Sequence, residues 1–293
     1  MRSLSSMVIS TAMRAFGVRR FYANPDLFAW ALRRRQAIWK EPKPPARLAR
    51  DLPARRVEKH GHLCYEIGSG ERQVFYLHGG GYLREIDSSQ WGFVRKLATR
   101  LDSTVTVPLY PLVPVASAPE ILDGLAVFYT ETVLPKGGPV FVVGDSAGGN
   151  MALGLAQLLR ERGVPQPERL ILLSPHLDCT MSNPGALALE RYDPVVANFG
   201  LIEAGRMYAG PLDLDDPLVS PINADLKGLA PITLFTGTRE ILYPDCRLLR
   251  DRAERAGVPL DYHEFPGMFH VWMMLPVREA EPVFRHLEQL AGR

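Results

Sequence analysis

Residues Gly144-Asp145-Ser146-Ala147-Gly148 follow Pro139-Val140-Phe141-Val142-Val143, a short apolar run rich in β-branched residues. After the serine, apolar residues recur at helical spacing, at Met151, Ala152, Leu155, Leu158 and Leu159. A strand, a serine between glycines and then a helix is the context in which G-x-S-x-G forms a tight turn. Such a turn accepts only very small neighbours, and it lifts the serine hydroxyl to a helix N-terminus with unpaired N–H groups. The stretch therefore predicts a nucleophilic serine at position 146.

The length and composition of the chain leave room for one large α/β domain or two small ones. Of its 293 residues, 46% are hydrophobic and 23% are charged, as in ordinary globular proteins. No apolar run approaches the roughly 18 residues of a membrane span. The three cysteines are odd in number and widely spaced, so we expect no disulfide framework and a reducing, cytoplasmic location. Neither C-x-x-C nor H-E-x-x-H occurs, so we expect no metal site and no cofactor.

The N-terminal part of the chain is strongly basic. Residues 1–56 carry thirteen basic and three acidic side chains, a balance of +10 against +2 for the whole chain. Two segments there have apolar residues at helical spacing, namely Leu4, Met7, Val8, Met13 and Phe16, and then Phe21, Leu27, Phe28, Trp30, Ala31 and Ile38. We expect two amphipathic helices that pack on the main domain with their basic faces in solvent. Because no acidic residue precedes Asp26, an organelle-targeting segment or contact with an anionic membrane surface stays open as an alternative.

Beyond a proline-rich connector at residues 41–47, short apolar strands alternate with helical segments. The predicted strands are 73–77, 103–107, 139–143, 169–173, 232–235 and 259–263, and the predicted helices are 91–101, 121–129, 151–159 and 245–256. This alternation predicts an α/β fold with a mostly parallel central sheet and helices on both faces. Residues 179–230, rich in Pro, Gly and Asp, interrupt this alternation of strands and helices. We expect them to form an insertion over the carboxyl ends of the strands, where such sheets bind ligands.

A serine hydroxyl is a poor nucleophile at neutral pH and needs an adjacent base. His270 lies in a loop just past the last predicted strand, and the chain order serine, acid, histidine favours it. The competing histidines are His60, His62, His176, His263 and His286. The first two precede the predicted sheet, His263 lies inside a strand pattern, and His286 is expected to face solvent on the last helix. His270 is therefore the predicted base.

Two carboxylates stand between the serine and this histidine, in the segment after the strand at 232–235. Glu240 is nearer the end of the strand, in a loop, whereas Asp245 follows Pro244 at a good position for capping a helix. We therefore predict Glu240 as the acid that orients the imidazole. Asp245 is the alternative.

An attacked carbonyl develops a negative charge that needs preorganised hydrogen-bond donors. The segment His78-Gly79-Gly80-Gly81-Tyr82 follows the first predicted strand, and its glycines allow backbone N–H groups to approach a ligand closely. A flexible loop or a phosphate cradle is the alternative, although no G-K-[ST] follows. The candidate donors are the N–H groups of Gly79, Gly80, Gly81 and Ala147. Three neighbours of these motifs are candidate pocket residues, namely Tyr82, Asp145 and Phe269.

Together these motifs resemble the hormone-sensitive-lipase-like (bacterial family IV) esterases of the α/β-hydrolase fold. The likeness covers about residues 65–290 and is carried by His78-Gly79-Gly80-Gly81, Gly144-Asp145-Ser146-Ala147-Gly148-Gly149, Tyr110-Pro111-Leu112-Val113-Pro114, Asp216-Pro217-Leu218-Val219-Ser220-Pro221 and Gly267-Met268-Phe269-His270-Val271-Trp272. The resemblance implies Ser146 as nucleophile, His270 as base, and Gly80, Gly81 and Ala147 as anion donors. It also implies N-terminal cap helices at 1–45 and a catalytic domain at 46–293 that carries a cap insertion at about 179–215.

The chain departs from the family pattern at two places. The family's acid usually lies in G-x-x-D-x-L-x-x-D, and the matching position here is Glu240. The family's Y-R-L-A-P-E segment is also altered, with Pro111 and Val113 inside it and Glu120 displaced. The second departure concerns the packing beside the serine turn rather than the reaction.

The resemblance implies a carboxylic ester hydrolase that forms an acyl-enzyme, on short- to medium-chain or hydrophobic esters. Lactonase, amidase or deacetylase activity stays an alternative, because the same triad serves all acyl transfers. A non-catalytic small-molecule receptor on this fold would lack the histidine base, and His270 is present. The expected partner is a small-molecule ester and no nucleic acid, and the oligomeric state is open, with a homodimer as one option.

Overall fold

The computed structural model describes residues 2–37, 40–59 and 61–293, so Ile38 and His60 lie outside the described residues. Within these ranges one sheet has eight strands, which are β1 Ala54–Lys59, β2 His62–Ile67, β3 Arg72–Leu77, β4 Ser103–Pro108, β5 Val140–Asp145, β6 Arg169–Leu173, β7 Ile232–Gly237 and β8 Leu260–Phe265. Their order in space is β1-β2-β4-β3-β5-β6-β7-β8. β2 pairs antiparallel with β1 and β4, and the other neighbours are parallel. The predicted mostly parallel sheet is confirmed.

Helices cover both faces of this sheet. They are α1 Leu4–Ala15, α2 Arg20–Ala23, α3 Pro25–Ala37, α4 Ala46–Asp51, α5 Ser88–Arg100, α6 Ala118–Phe128, α7 Ala147–Glu161, α8 Pro184–Leu189, α9 Asn198–Ala209, α10 Tyr243–Ala256 and α11 Ala280–Leu290. Residues of α5 and α11 pack in one core and residues of α6, α7 and α10 in the other. No helix in the described ranges is both long enough and apolar enough to cross a membrane.

The central strands are apolar on both faces because each face carries helices. Along β3, Phe75 and Leu77 point into one core while Val74 and Tyr76 point into the other, and all four side chains are fully buried. Alternation of side chains across the strand produces this division. It also explains why the buried strands appear in the sequence as continuous apolar runs.

The hairpin β1–β2 is absent from the sequence prediction. β1 is an edge strand with the sequence Ala-Arg-Arg-Val-Glu-Lys and no fully buried residue, so it lacks the apolar run that indicates an inner strand. His62, expected to precede the sheet, instead begins β2. That expectation was wrong because the sheet extends by two antiparallel strands beyond its parallel part.

The first helix packs on the main domain with a face that the apolar pattern does not predict. Its side chains Leu4 and Val8 are 73% and 57% exposed, whereas Ser6 is fully buried. Glu279 accepts hydrogen bonds from the Ser3 N–H at 2.6 Å, the Ser3 hydroxyl at 2.7 Å and the Ser6 hydroxyl at 3.1 Å. Met13 of the predicted stripe packs against the core, but Leu4 and Val8 face outward. The expectation that the apolar stripe of α1 packs inward is therefore wrong for most of the stripe.

The next two helices contact the segment at 179–215 through aromatic side chains. The rings of Phe21 and Phe28 lie 5.2 Å apart, and Phe199 of α9 meets Phe28 at 6.0 Å. Tyr22 of α2 is so close to α9 that a Cβ added at Gly200 would lie 2.6 Å from the Tyr22 Cα. The N-terminal helices and the segment between β6 and β7 therefore pack as one layer.

Candidate active site

Ser146 lies in the turn between β5 and α7. Its backbone has φ 53° and ψ −118°, in the region that non-glycine residues rarely adopt. The glycines on either side are required by packing. A Cβ added at Gly144 would lie 2.2 Å from the Gly148 carbonyl oxygen, and one added at Gly148 would lie 1.9 Å from that of Leu77. The predicted strand, turn and helix are thus present, and they set the serine hydroxyl at the N-terminus of α7.

The structure brings together the three residues predicted as nucleophile, base and acid. The Ser146 Oγ lies 2.9 Å from His270 Nε2, and His270 Nδ1 lies 2.9 Å from Glu240 Oε2. The other carboxylate oxygen of Glu240 accepts hydrogen bonds from the Thr236 hydroxyl and the Gly237 N–H, both at 2.7 Å. One imidazole nitrogen therefore contacts the serine hydroxyl and the other contacts the carboxylate. The hydrogen bonds from Thr236 and Gly237 fix the orientation of that carboxylate. Such a chain can move a proton from the hydroxyl to Nε2.

Negative charge surrounds the imidazole of His270. Burial alone would lower its pKa, but the hydrogen bond and charge of Glu240 and the charges of Asp193 and Asp145 outweigh burial and raise it. His176 is the other titratable group near the ring, and burial lowers the pKa of His176 to about 4, so this second histidine is neutral. The surroundings therefore stabilise the imidazolium form once this ring takes up a proton.

Asp193 is a buried carboxylate near the imidazole that the sequence reasoning missed. It lies in the segment between α8 and α9 and is fully buried. Its Oδ1 accepts hydrogen bonds from the N–H groups of Val195 and Val196, and its Oδ2 accepts one from the Ile241 N–H at 3.0 Å. Ile241 directly follows Glu240, so Asp193 links the segment at 179–215 to the loop that holds Glu240. The only local signal is the Tyr-Asp-Pro sequence, which indicates a turn and says nothing about this distant contact.

Asp245, the alternative acid, does not reach the imidazole. It lies in the first turn of α10, almost fully buried, and accepts a hydrogen bond from the Asn183 side-chain amide at 2.8 Å. Burial raises its pKa to about 6, against the opposing effect of that hydrogen bond. The N-cap residue of α10 is Leu242, with no side-chain cap. The expected capping role of Asp245 is therefore wrong, and its carboxylate contacts the start of α8 instead.

The glycine-rich loop after β3 lies beside the serine turn. The Gly79 N–H donates to Asp145 Oδ1 at 2.9 Å, so this predicted donor is already paired. Within the described ranges, the N–H groups of Gly80 and Gly81 donate no hydrogen bond. These two glycines have φ values of 126° and 61°, which other residues rarely adopt. The arrangement leaves Gly80 and Gly81 available as donors to a bound anion, together with Ala147 at the start of α7.

Asp145 was expected to line a pocket, but its carboxylate is buried beneath this loop and supports it. Its carboxylate accepts hydrogen bonds from the Tyr76 hydroxyl at 2.6 Å, the Gly79 N–H at 2.9 Å and the Gln90 amide at 3.1 Å. Burial raises the pKa of Asp145 to about 6, although each of these hydrogen bonds opposes the rise. The carboxylate thus fixes the loop through the N–H of Gly79, the first of its three glycines.

The other two expected pocket residues lie on opposite sides of the sheet. Tyr82 stacks on Tyr208 of α9 with ring centroids 4.0 Å apart, and its hydroxyl lies 3.2 Å from His176 Nδ1. Phe269, in contrast, is buried in the core between the sheet and helices α5 and α11. The structure therefore places Tyr82 against α9, while Phe269 packs in the core on the other face of the sheet.

The altered segment at Tyr110–Pro114 still packs beside the glycine loop. The Tyr110 ring stacks on that of His78 at 4.5 Å, and its hydroxyl donates to the His78 carbonyl oxygen at 2.5 Å. The Val113 N–H donates to the Tyr82 carbonyl oxygen at 3.1 Å. The segment therefore keeps a contact with both ends of the loop.

Three of the competing histidines lie in other elements of the fold. His62 and His263 lie in strands β2 and β8. His286, expected to face solvent, instead lies 2.5 Å from Asp261 through its Nε2 atom. That expectation was wrong because α11 packs this side chain against the edge strand β8.

Comparison with known proteins places the chain among ester hydrolases. A family model described as the alpha/beta hydrolase fold matches residues 74–274. An esterase of Acinetobacter venetianus is 29% identical over 228 residues, which cover 76% of this chain and 74% of the esterase. An acetyl-hydrolase of Streptomyces hygroscopicus is 30% identical over 228 residues, 75% of this chain and 76% of that protein. A crystal structure of a hormone-sensitive lipase from a metagenome library superposes with a TM-score of 0.78 at 26% identity, covering 92% of this chain and 98% of the lipase.

Proposed function

This chain belongs to the hormone-sensitive-lipase-like esterases of the α/β-hydrolase fold, and we propose that it hydrolyses carboxylic esters through an acyl-enzyme on Ser146. His270 acts as the base and Glu240 orients it. The observation that carries the proposal is the continuous chain from the Ser146 Oγ through both nitrogens of His270 to Glu240, with both distances 2.9 Å. All three side chains are buried, so bulk water does not replace any of these contacts.

In the first half of the reaction, the Ser146 Oγ attacks the ester carbonyl while His270 Nε2 takes the hydroxyl proton. The carbonyl oxygen becomes an anion, which the N–H groups of Gly80, Gly81 and Ala147 stabilise. The tetrahedral intermediate collapses, and Nε2 gives the proton to the leaving alcohol. A water molecule then attacks the acyl-enzyme with the same histidine as base, and the free acid leaves.

The carboxylates around His270 stabilise the imidazolium formed in both tetrahedral intermediates. Glu240 does so through a direct hydrogen bond, while Asp193 and Asp145 act through space and together raise its pKa. The N-terminal dipole of α7 has the opposite sign and favours the oxyanion. The two charges that develop in the transition state therefore each meet a complementary environment.

The substrates we propose are esters with short- to medium-chain or hydrophobic groups. The support is the aromatic side chains where the N-terminal helices, α9 and the glycine-rich loop meet. Tyr82 of the loop stacks on Tyr208 of α9 at 4.0 Å, and Phe28 of α3 meets Phe199 of α9 at 6.0 Å. Apolar and aromatic walls favour hydrophobic ligand groups. Lactones, amides and acetylated substrates use the same triad chemistry, so a series of p-nitrophenyl esters of rising chain length should be run beside lactone and amide panels. Fastest turnover on a lactone or an amide would replace the ester proposal.

The nucleophile assignment is tested with Ser146→Ala and a matched control, Ser103→Ala. Ser103 is also a fully buried serine, but it lies at the amino end of β4 and donates to the Leu97 carbonyl oxygen. We expect Ser146→Ala to lose hydrolysis of p-nitrophenyl butyrate and labelling by a fluorophosphonate while its circular dichroism is unchanged, and Ser103→Ala to keep both. Undiminished turnover by folded Ser146→Ala would contradict the proposal.

We further propose that the outer face of the N-terminal helices adsorbs to an anionic lipid surface. Within the described ranges, seven of the eleven large exposed hydrophobic side chains fall in the first thirty residues, and they are Leu4, Met7, Val8, Phe16, Val18, Leu27 and Trp30. The same part of the chain has a balance of thirteen basic to three acidic residues over positions 1–56. Apolar side chains in a basic surrounding suit the interface of a bilayer with negative headgroups.

This second proposal is tested by sedimentation with vesicles of phosphatidylglycerol or phosphatidylcholine. Binding should require the anionic lipid, weaken in high salt through screening and fall in the double variant Leu4→Ser, Val8→Ser. Leu187→Ser, a change at a side chain 63% exposed on another helix, serves as the control. Salt-insensitive binding would contradict the proposal, as would a dimer in solution that the double variant converts to a monomer.

A further inference from the structure

Three metal-ligating side chains meet on the sheet face that α11 covers, apart from the proposed active site. Asp261 and His263 are two residues apart on β8, so their side chains point to the same face of this edge strand. His286 approaches that face from α11. The spacing of the three residues matches neither metal-binding motif considered above, and only the fold brings them together.

Both imidazoles direct the same nitrogen at one carboxylate. His263 Nε2 lies 2.9 Å from Asp261 Oδ1, and His286 Nε2 lies 2.5 Å from Asp261 Oδ2. One ligand atom from each of the three residues lies within 4.8 Å of the others. The donor set is therefore two imidazole nitrogens and one carboxylate oxygen, which zinc and similar divalent transition metals prefer.

Packing fixes the orientation of the two rings. The His263 ring stacks on Phe235 with centroids 4.9 Å apart and planes inclined by 15°. The His286 ring meets the edge of Phe235 at 5.8 Å and lies 4.2 Å from His263. Because Phe235 is fully buried in the core, the ligand nitrogens are held in place without a metal. Such preorganisation lowers the entropic cost of ordering the side chains when a cation binds.

The contact between His263 and Asp261 is incomplete as a hydrogen bond. The Nε2 atom of His263 is shielded from solvent and makes no hydrogen bond, even though Asp261 Oδ1 lies 2.9 Å away. A buried ring nitrogen without a hydrogen-bond partner is uncommon in folded proteins. A nitrogen in this position is an unsatisfied ligand atom.

We propose that Asp261, His263 and His286 bind one divalent transition metal ion, of which Zn²⁺ is the probe. Around a tetrahedral Zn²⁺ with bonds of about 2.0–2.2 Å, neighbouring ligand atoms lie roughly 3.4 Å apart. The Asp261 carboxylate must therefore move away from the two nitrogens by roughly 0.5–0.9 Å, through rotation of its side chain, while the rings stay where packing holds them. The three side chains are between 24% and 37% exposed, so water can complete the coordination. The ion would join the edge strand β8 to α11.

The test is Zn²⁺ titration of the full chain by calorimetry, after chelator treatment and dialysis. We expect one Zn²⁺ per chain for the wild type and a higher Tm in its presence. His263→Gln and His286→Gln should each weaken binding by roughly tenfold or more, the least that loss of a ligand should cost. His62→Gln, a change at a histidine of β2 outside the cluster, should bind like the wild type.

Several results would overturn the metal site. One is the absence of stoichiometric Zn²⁺ binding by the wild type. Another is wild-type Zn²⁺ affinity in His263→Gln or His286→Gln, and a third is an equal loss of affinity in His62→Gln. Co²⁺ adds a readout that does not depend on stability, since the wild type should give visible d–d bands that His286→Gln abolishes. Hydrolysis of p-nitrophenyl butyrate should be unchanged in His263→Gln, so failure of the metal site and failure of the esterase proposal are seen in separate measurements.

Discussion

Glu240→Gln tests the identity of the acid through the position of a single proton. Glu240 Oε1 accepts hydrogen bonds from the Gly237 N–H and the Thr236 hydroxyl, both at 2.7 Å, while Oε2 faces His270 Nδ1 at 2.9 Å. Because the Gly237 N–H can only donate, a glutamine must turn its carbonyl oxygen toward it. Its NH₂ group then faces Nδ1 and forces the imidazole proton onto Nε2. That nitrogen would donate to Ser146 instead of accepting the hydroxyl proton.

The expected loss is large, because Glu240 is fully buried and water cannot take its place. In serine hydrolases with this arrangement, the wrong tautomer lowers kcat by about 10⁴-fold, which corresponds to about 5.4 kcal/mol of transition-state stabilisation. Asp245→Asn is the matched control. It makes the same chemical change in a buried carboxylate that accepts its hydrogen bond from Asn183 rather than from His270. Its kcat/KM should stay near the wild-type value.

The assay is kcat/KM for p-nitrophenyl butyrate at mildly alkaline pH, with Tm measured for each variant to show that it is folded. A loss smaller than roughly 10²-fold in folded Glu240→Gln, the lower end of what a general base contributes, would refute the reasoning. A large loss confined to Asp245→Asn would refute it as well, and would transfer the role to the alternative acid.

Three further predictions concern charge and packing. Asp193→Asn removes a negative charge that helps raise the pKa of His270, so the acidic limb of the kcat/KM profile should move to lower pH, and a move to higher pH would contradict this. Gly148→Ala puts a Cβ 1.9 Å from a backbone oxygen and should destabilise the fold by roughly 3 kcal/mol or more. Gly92→Ala, where an added Cβ meets nothing within 4 Å, should stabilise α5 by up to about 1 kcal/mol. Urea unfolding measures both variants, and equal effects on stability would contradict the close packing of Gly148 in the serine turn. Burial raises the pKa of Asp245 to about 6, above its unfolded value, so the folded chain binds more protons between about pH 4 and 6 and loses stability as the pH rises. Asp245→Asn should therefore gain stability over the wild type on going from about pH 4.5 to about pH 8, by on the order of 2–3 kcal/mol, and a loss over this interval would contradict the sign.

The parts of the fold that the sequence predicts well are those with strong local patterns. The strand, glycine turn and helix around Ser146 combine an apolar run, two sterically required glycines and helical periodicity, all within about twenty residues. The hairpin β1–β2 has none of these signals, because an exposed edge strand such as Ala54–Lys59 carries charged residues. Local pattern therefore predicts the parallel core and misses its antiparallel extension.

The N-terminal helix shows how tertiary contacts override an apolar pattern. Periodicity predicts burial of the stripe that contains Leu4 and Val8, yet the structure buries Ser6 through hydrogen bonds to Glu279. That partner is 273 residues away along the chain. No local property of α1 predicts this contact with Glu279. A helix face lined by serines has the hydropathy of a solvent-facing surface.

Residues at the site divide in the same way. Chain order and loop position alone predict His270 and Glu240, because the motif restricts the loops in which a base and an acid can lie. Asp193 has no such restriction. Its partner, the N–H of Ile241, is 48 residues away along the chain, and in the sequence this aspartate looks like many others in turns.

The most direct test of the central claim is mass spectrometry of the intact protein during hydrolysis of a slowly deacylated p-nitrophenyl ester. An acyl-enzyme on Ser146 should give one acyl group per chain, located on Ser146 by peptide mapping, with a matching burst of one equivalent of p-nitrophenolate. Ser146→Ala should show neither the adduct nor the burst. An acyl group on another residue, or steady turnover by the folded Ser146→Ala variant, would contradict the account.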